Sequence, residues 1–319
     1  MSRLPLITIV GPTASGKTQR AVSLALATDS EILSGDSRQV YRGMDLGTGK
    51  DLDDYAPLFS KYSHLTDMQY PGLHLVDICE AGEKYNLHRF LRDFQEAENV
   101  IRQRGNNVLL CGGTGMYVEA ALAGLALPEV PEDREFRDAM QSKTLTELHE
   151  ELARLKKLHN VTDVDTHQRA VRALEIERYY QAHPEASELA DRSKATPRES
   201  VIFLIDIPRE ERRRRITERL KARLDAGMTD EVEALLKQGV SAENLIYYGL
   251  EYKFVTLHVL GQLSKDEMFR GLETAIHQFA KRQMTWWRGM ERRGFTLHPI
   301  AYNLSESDFL AEALPLLGL

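Results

Sequence analysis

The stretch ITIVGPTASGKTQRAV, Ile7 to Val22, contains Gly11, Pro12, Thr13, Ala14, Ser15, Gly16, Lys17 and Thr18 in the spacing G-x-x-x-x-G-K-T. Backbone N–H groups at the start of a helix face an anion, helped by the helix dipole. The glycines let the backbone come close, Lys17 adds a point charge, and the Thr18 hydroxyl is a ligand for Mg²⁺. A glycine-containing turn can match this spacing by chance. The strand-like residues before it and the helical residues after it are the context that a phosphate loop requires. The loop does not identify the molecule that carries the phosphates. A nucleotide-binding loop of this kind is usually joined by a strand ending in an acid that holds Mg²⁺. Here the strand VLLCGGTG ends in glycine, and Asp77 and Asp206 follow apolar residues in undiagnostic contexts.

A second constellation is LSGDSRQVYRGMDLGTGK, Leu33 to Lys50. It follows an apolar run, and in a parallel sheet the strand C-termini line the ligand crevice. Asp36 therefore falls beside the phosphate loop. One reading is a loop aspartate capping a turn. The other is a general base, since a carboxylate beside phosphate needs a metal or a proton to take. Ser37, Arg38 and Gln39 add a hydroxyl, a guanidinium and an amide, the last two being groups that read base edges.

The elements that must carry these residues alternate in type. LITIV (Leu6–Val10), EILSGD (Glu31–Asp36), HLVDI (His74–Ile78), NVLLCGGTG (Asn107–Gly115) and VIFLIDI (Val201–Ile207) read as buried strands. Helical patterns lie between them, among them Asn86–Gly105, with an Asn cap and a terminal glycine. Near-continuous apolar strands alternating with helices predict a parallel sheet covered on both faces. From about Pro128 to Glu199 no strand pattern occurs, and HPEASELADRSKATPRES reads as a linker or loop. The chain after Ile207 reads as helical. The expected organisation is an α/β core over 1–127, a helical insertion over 128–199, and the rest of the core over 200–319.

Two cysteines in apolar runs argue against a disulfide framework and for a reducing compartment. No signal peptide or run of about 18 apolar residues is present, so a cytoplasmic protein without a membrane span is expected. The net charge of −7 does not suggest nucleic acid. It conceals two basic segments: Arg209–Arg223, with eight basic and three acidic residues, and Lys281–Arg293, with five and one. Such runs are commonly solvated helix faces, and in an RNA enzyme they meet phosphates. Trp286 and Trp287 are candidates for base stacking, but adjacent residues on a helix point apart, so at least one is expected in the core.

The segments GPTASGKT, SGDSRQVYRGMDLGTGK, CGGTGMYVEAALAGL, HQRAVRALEI and KRQMTWWR occur in this order. Together they resemble the tRNA dimethylallyltransferase (isopentenyltransferase) family, from about Ile7 to Arg288. DSRQVYRGMD carries most of that specificity. The resemblance implies a P-loop NTPase-like core with an all-helical insertion that contacts tRNA. It implies transfer of a dimethylallyl group from dimethylallyl diphosphate to the N6 amine of the adenosine 3′ of the anticodon, releasing diphosphate. Asp36 matches the family's base, and Thr114 a position along the substrate path. Arg219 matches an arginine near the diphosphate, held also by Lys17, Thr18 and the loop from Gly11. Arg137, Gln168, Arg169 and Arg172 match residues that meet the anticodon stem-loop, alongside Asp36, Ser37, Arg38 and Gln39. On a helix, Gln168 and Arg172 share one face, while Val171 and Leu174 turn toward packing. Mg²⁺ at Thr18 and a monomeric enzyme are expected. The segment IYYGLEYKF, Ile246–Phe254, departs from the family pattern and leaves Glu251 and Lys253 without assigned roles. The rival readings are prenylation of free adenine nucleotides, a P-loop small-molecule kinase, and a non-catalytic RNA-binding module.

Overall fold

The computed structural model describes residues 3–155, 165–191 and 194–319. The chain forms two compact units, one of residues 1–123 with 197–319 and one of residues 124–196. The insertion thus begins at Gly124 and ends at Thr196 rather than at 128 and 199.

In the larger unit the elements before the insertion are β1 (Leu6–Val10), α1 (Lys17–Ala27), β2 (Ser30–Ser34), α2 (Ala56–Lys61), β3 (Leu73–His74), α3 (Leu87–Gln103), β4 (Asn107–Gly112) and α4 (Gly115–Leu122). The smaller unit holds α5 (Arg134–Met140), α6 (Leu145–Leu155), α7 (His167–Ala182) and α8 (Pro184–Leu189). The larger unit resumes with β5 (Ser200–Asp206), α9 (Arg209–Asp225), α10 (Met228–Lys237), α11 (Ala242–Tyr247), α12 (Leu250–Val259), α13 (Lys265–Arg292), β6 (Leu297–Ala301) and α14 (Glu306–Leu316).

The six strands form one parallel sheet in the order β3-β2-β4-β1-β5-β6. Alternation along the strands divides the core. Ile7, Ile9, Leu109, Cys111, Phe203 and Ile205 face α1, α2 and α14, meeting Val22, Leu58 and Phe309. Leu110 faces the other way, where it and Val118 of α4 crowd Gly35. There α3 and α4 pack together, with the Phe90 and Tyr117 rings 4.5 Å apart. This is the parallel α/β architecture that the apolar runs predict. The Asn86 side chain caps α3 by accepting from Arg89 N–H at 3.0 Å, and Gly105 beyond its end has φ +82°.

The structure corrects three expectations. The third strand stops at His74, because Leu75 and Asp77 take left-handed backbone conformations that end pairing. HPEASEL is not loop: Pro184 sits in the first turn of α8, where its missing N–H costs no hydrogen bond. The segment after Ile207 is not wholly helical, since β6 pairs with β5 at the sheet edge. Pro299 is tolerated in an edge strand, and it masks the strand signal. The smaller unit has its own core of Phe136, Met140, Leu148, Leu152, Val171 and Leu174, and no strand among its described residues. Among the described residues no helix is long and apolar enough to cross a membrane. Cys79 and Cys111 are both buried and free.

Candidate active site

The phosphate loop joins the C-terminus of β1 to α1. Gly16 (φ +84°) and Ala14 (φ +60°) adopt left-handed conformations that turn the backbone into the helix. Gly11 has no room for a side chain: a Cβ there would lie 2.8 Å from Ser15 Oγ and 3.2 Å from Ile205 Cβ. Lys17 and Thr18 open α1.

β2 and β4 bring the second constellation to the same end of the sheet. Their backbones touch just past the strands, since a Cβ on Gly112 would lie 2.5 Å from the Gly35 carbonyl oxygen. This contact seats Asp36–Ser37 against Thr114. Ser37 N–H donates to Thr114 Oγ1 at 3.1 Å, and that hydroxyl lies 3.3 Å from Ser37 Oγ. Lys17 points toward the same turn, its Nζ 3.7 Å from where a Cβ on Gly113 would stand. Burial, the largest influence, lowers the Lys17 ammonium's proton affinity, and Asp36 and Asp51 partly restore it. Asp36 is half-buried and accepts the Arg38 N–H at 2.9 Å through Oδ1. It both caps its turn and keeps Oδ2 clear of that bond.

Arg38 reaches toward α11, its guanidinium 5.7 Å from the Tyr247 ring centre. Gln39 turns inward: its Oε1 accepts from Ser34 Oγ at 2.8 Å, and its Nε2 donates to the Gly49 carbonyl at 3.0 Å. Arg219 lies across from the phosphate loop. With Thr13, Ala14, Ile216, Leu220, Arg223, Glu251 and Ile276 it lines a crevice. Burial, foremost, raises the proton affinity of Glu251 despite Arg223 and Arg219 nearby.

Sequence reasoning missed Gln283. This α13 residue is 7% exposed, and it joins the two glycine turns. Its Oε1 accepts from Thr13 N–H at 2.9 Å and its Nε2 donates to the Gly113 carbonyl at 2.8 Å. The Thr13 amide is therefore engaged, leaving the amides of Ala14, Ser15 and Gly16 for an anion. The only signal was its place inside KRQMTWWR, a segment whose charge drew the reading. Asp51 and Arg223 were likewise missed. Of the two tryptophans, Trp287 is in the core at 0% exposed, while Trp286 is 40% exposed. Trp286 packs on Gly115, where a Cβ would lie 2.4 Å from its ring.

The smaller unit gathers the remaining predicted residues on α5 and α7. Arg137 grips the Glu175 carboxylate through two bonds, at 3.0 and 2.8 Å, and Arg172 pairs with the same carboxylate. Arg172 also donates to the Val130 and Pro131 carbonyls at 2.8 and 3.3 Å. Burial opposes the charge on Glu175, but Arg137, Arg172 and the Asp133 amide hold its carboxyl below the usual range. Gln168 and Arg169 are exposed, Arg169 pairing with Asp165 at 2.8 Å. Ala170, Val171 and Leu174 face the core.

The residue expected to ligate Mg²⁺, Thr18, opens α1 beside the phosphate loop. No group of three or more His, Cys, Asp or Glu that could hold a metal occurs among the described residues. A Mg²⁺ ion bound mainly through substrate phosphates and water needs few protein ligands, and one hydroxyl at a helix start suits it.

The chain matches the family model described as IPP transferase over residues 39–290 and that described as isopentenyl transferase over residues 4–56. It is 53% identical over 317 residues to tRNA dimethylallyltransferase 2 of Phocaeicola vulgatus, with 99% of each chain covered. It is 51% identical over 318 residues to tRNA dimethylallyltransferase 1 of Parabacteroides distasonis, covering 100% of this chain and 99% of the other. Among solved structures it is similar to the tRNA Δ2-isopentenylpyrophosphate transferase of Staphylococcus epidermidis. The TM-score is 0.67, at 26% identity with 98% of each chain covered. A DSRQ turn bonded to Thr114 and a phosphate loop tied to Gly113 through Gln283 are thus framed by full-length similarity, and the chain belongs to the IPP transferase family, that of the tRNA dimethylallyltransferases.

Proposed function

We propose that this protein transfers the dimethylallyl group of dimethylallyl diphosphate to the N6 amine of the adenosine directly 3′ of the anticodon in tRNA. The observation that carries this reading is the meeting of three chain segments at one end of the sheet. Lys17 supplies a cation for the diphosphate, and Asp36 a carboxylate beside it. Thr114 links the turn that bears Asp36 to the end of β4.

In the reaction the N6 lone pair forms a bond to the allylic carbon as the carbon–oxygen bond to diphosphate breaks. The electron pair of that bond leaves with diphosphate. Charge grows on the leaving oxygens, where preorganised donors are most effective. The amides of Ala14, Ser15 and Gly16, the Lys17 ammonium and Arg219 serve there. Asp36 accepts the proton that the amine loses. The Thr18 hydroxyl would hold a Mg²⁺ ion, which would supply partial neutralisation of the leaving charge. The target base is in a loop, unpaired, and is turned outward at modest cost. Exposed Gln168 and Arg169 serve as contacts to the anticodon stem-loop. Arg137 and Arg172, tied to Glu175, keep that surface in shape. With this reading go a cytoplasmic location and a monomeric enzyme.

The test offers labelled dimethylallyl diphosphate with either tRNA or AMP as acceptor. Label in tRNA alone is expected. Label in AMP, or phosphate transfer from ATP without use of the prenyl donor, would overturn the reading.

A further inference from the structure

The α9 arginines that line the phosphate-loop crevice do not stand free. Arg219 and Arg223 are four residues apart, so they share one face of the helix on successive turns. Both donate to the carboxylate of Asp51, Arg219 to Oδ2 and Arg223 to Oδ1 at 3.0 Å and Oδ2 at 3.2 Å. Each guanidinium has five N–H donors, and the bonds to Asp51 use only the Nη2 end.

Asp51 is mounted rigidly. The loop before it is tied to α10, where the Glu231 carboxylate accepts the amides of Asp45, Leu46 and Gly47 at 2.9, 2.7 and 3.1 Å. Lys50 is buried and donates to the Tyr41 carbonyl at 2.7 Å, to Asp45 at 2.6 Å and to Asp77. Gly49 passes so close to the arginines that a Cβ would lie 2.0 Å from Arg223 Nη2 and 2.6 Å from Arg219 Nη2. Asp51 then heads a short 3-10 turn, Leu52–Tyr55, whose Tyr55 is buried in the core that also takes in Val22 and Leu24 of α1. Three cations, Lys17, Arg219 and Arg223, gather around one crevice edge, and this carboxylate lies among them.

We propose that Asp51 is a positioning residue: its carboxylate clamps the Arg219 and Arg223 guanidinium groups side by side at the phosphate loop, with their remaining N–H donors left for the diphosphate. Two like charges on adjacent turns repel each other, and a fixed anion between them offsets that repulsion. Consistently, burial and then Arg223 lower the proton affinity of Arg219, and Asp51 raises it. This inference rests on the prenyl-transfer reading for its role in turnover. Its direct readout is diphosphate binding, which needs no acceptor.

The experiment titrates inorganic pyrophosphate into the full chain by calorimetry, with and without Mg²⁺, for wild type, Asp51→Asn, Arg219→Gln/Arg223→Gln, and the triple variant. Donor KM, tRNA KM and kcat are measured in parallel. Asp51→Asn keeps the side-chain shape, and circular dichroism checks its folding. Asp51→Asn is expected to weaken pyrophosphate about tenfold and to raise donor KM in proportion, with tRNA KM unchanged. With both arginines replaced, the same substitution is expected to have no further effect. Unchanged or tighter pyrophosphate binding in Asp51→Asn would overturn the clamp. So would an additive effect in the triple variant, since that is the mark of a merely structural loop residue. A loss confined to the Mg²⁺-dependent part of binding would make Asp51 a metal ligand instead and also overturn it. Failure of the wild type to transfer the prenyl group would defeat the functional reading while leaving the pyrophosphate result interpretable.

Discussion

Replacing Gln283 by leucine tests whether the two glycine turns act as one device. The amide makes a 2.9 Å bond to Thr13 N–H and a 2.8 Å bond to the Gly113 carbonyl from a site that is 7% exposed. Leucine has similar bulk but leaves both backbone groups without their partner. A buried polar group deprived of its bond costs about 1–3 kcal/mol. Two such groups give about 2–6 kcal/mol, and their place beside a crevice that admits water favours the lower half. Set against a total stability of about 5–15 kcal/mol, that loss is readily seen in urea unfolding. The functional effect is expected to be larger. Misplacing a binding loop by about 1 Å costs on the order of 10²-fold in rate. The assay is kcat/KM for dimethylallyl diphosphate at saturating tRNA, alongside the unfolding curve. Lost stability with unchanged donor kcat/KM would refute the coupling and leave Gln283 a packing residue. Gln283→Glu is the charge control. It keeps an acceptor for Thr13 but sets a carboxylate against the Gly113 carbonyl and the incoming diphosphate. Its donor KM should rise beyond that of the leucine variant.

Asp36→Ala should leave tRNA binding largely intact and slow single-turnover transfer by 10²-fold or more; unchanged chemistry would remove Asp36 from the base role. Gly112→Ala forces a Cβ to 2.5 Å from the Gly35 carbonyl oxygen, so it should both destabilise the fold and lower kcat, read by thermal unfolding and single turnover. Lys17 has its proton affinity lowered by burial, so the free enzyme loses this charge below the ordinary lysine range. Pyrophosphate affinity should therefore fall with rising pH before 10.5, with proton uptake on binding measurable by calorimetry in two buffers. Glu175 has a depressed folded-state pKa, so its contribution to stability is present above the unfolded carboxylate range and lost as pH falls through the folded value. Glu175→Gln should speed amide exchange in α5 and α7 at neutral pH, and the difference from wild type should shrink in acid.

The sequence made the glycine-marked parts of the site legible. Gly11, Gly16, Gly35 and Gly112 stand where the backbone turns or two strands touch, and such demands are written in single residues. The strands β1, β4 and β5 were equally plain, because burial on both faces leaves an unbroken apolar run. What stayed hidden depends on partners far along the chain. Gln283 meets Thr13 and Gly113 across 270 and 170 residues, and no local pattern announces such a bond. Asp51 meets α9 across 168 and 172 residues. HLVDI read as a strand from its apolar residues, yet Asp77 is drawn aside to neutralise buried Lys50. Gln39 carries an amide of the base-reading type, and its two ends bond Ser34 at the end of β2 and the Gly49 carbonyl, partners that no local pattern marks.

The two indoles of this chain form a ready-made optical pair. Trp287 is sealed in the interior and Trp286 lies on the turn that carries Thr114, 40% exposed. A collisional quencher added to the resting protein can reach only the second, so emission separates into a constant background and a reporter beside Thr114. A nucleobase arriving near Thr114 would shield that reporter, while diphosphate in the loop on the far side of Gly113 would leave it lit. The order in which donor and tRNA arrive can thus be followed in a stopped-flow trace without attaching a dye.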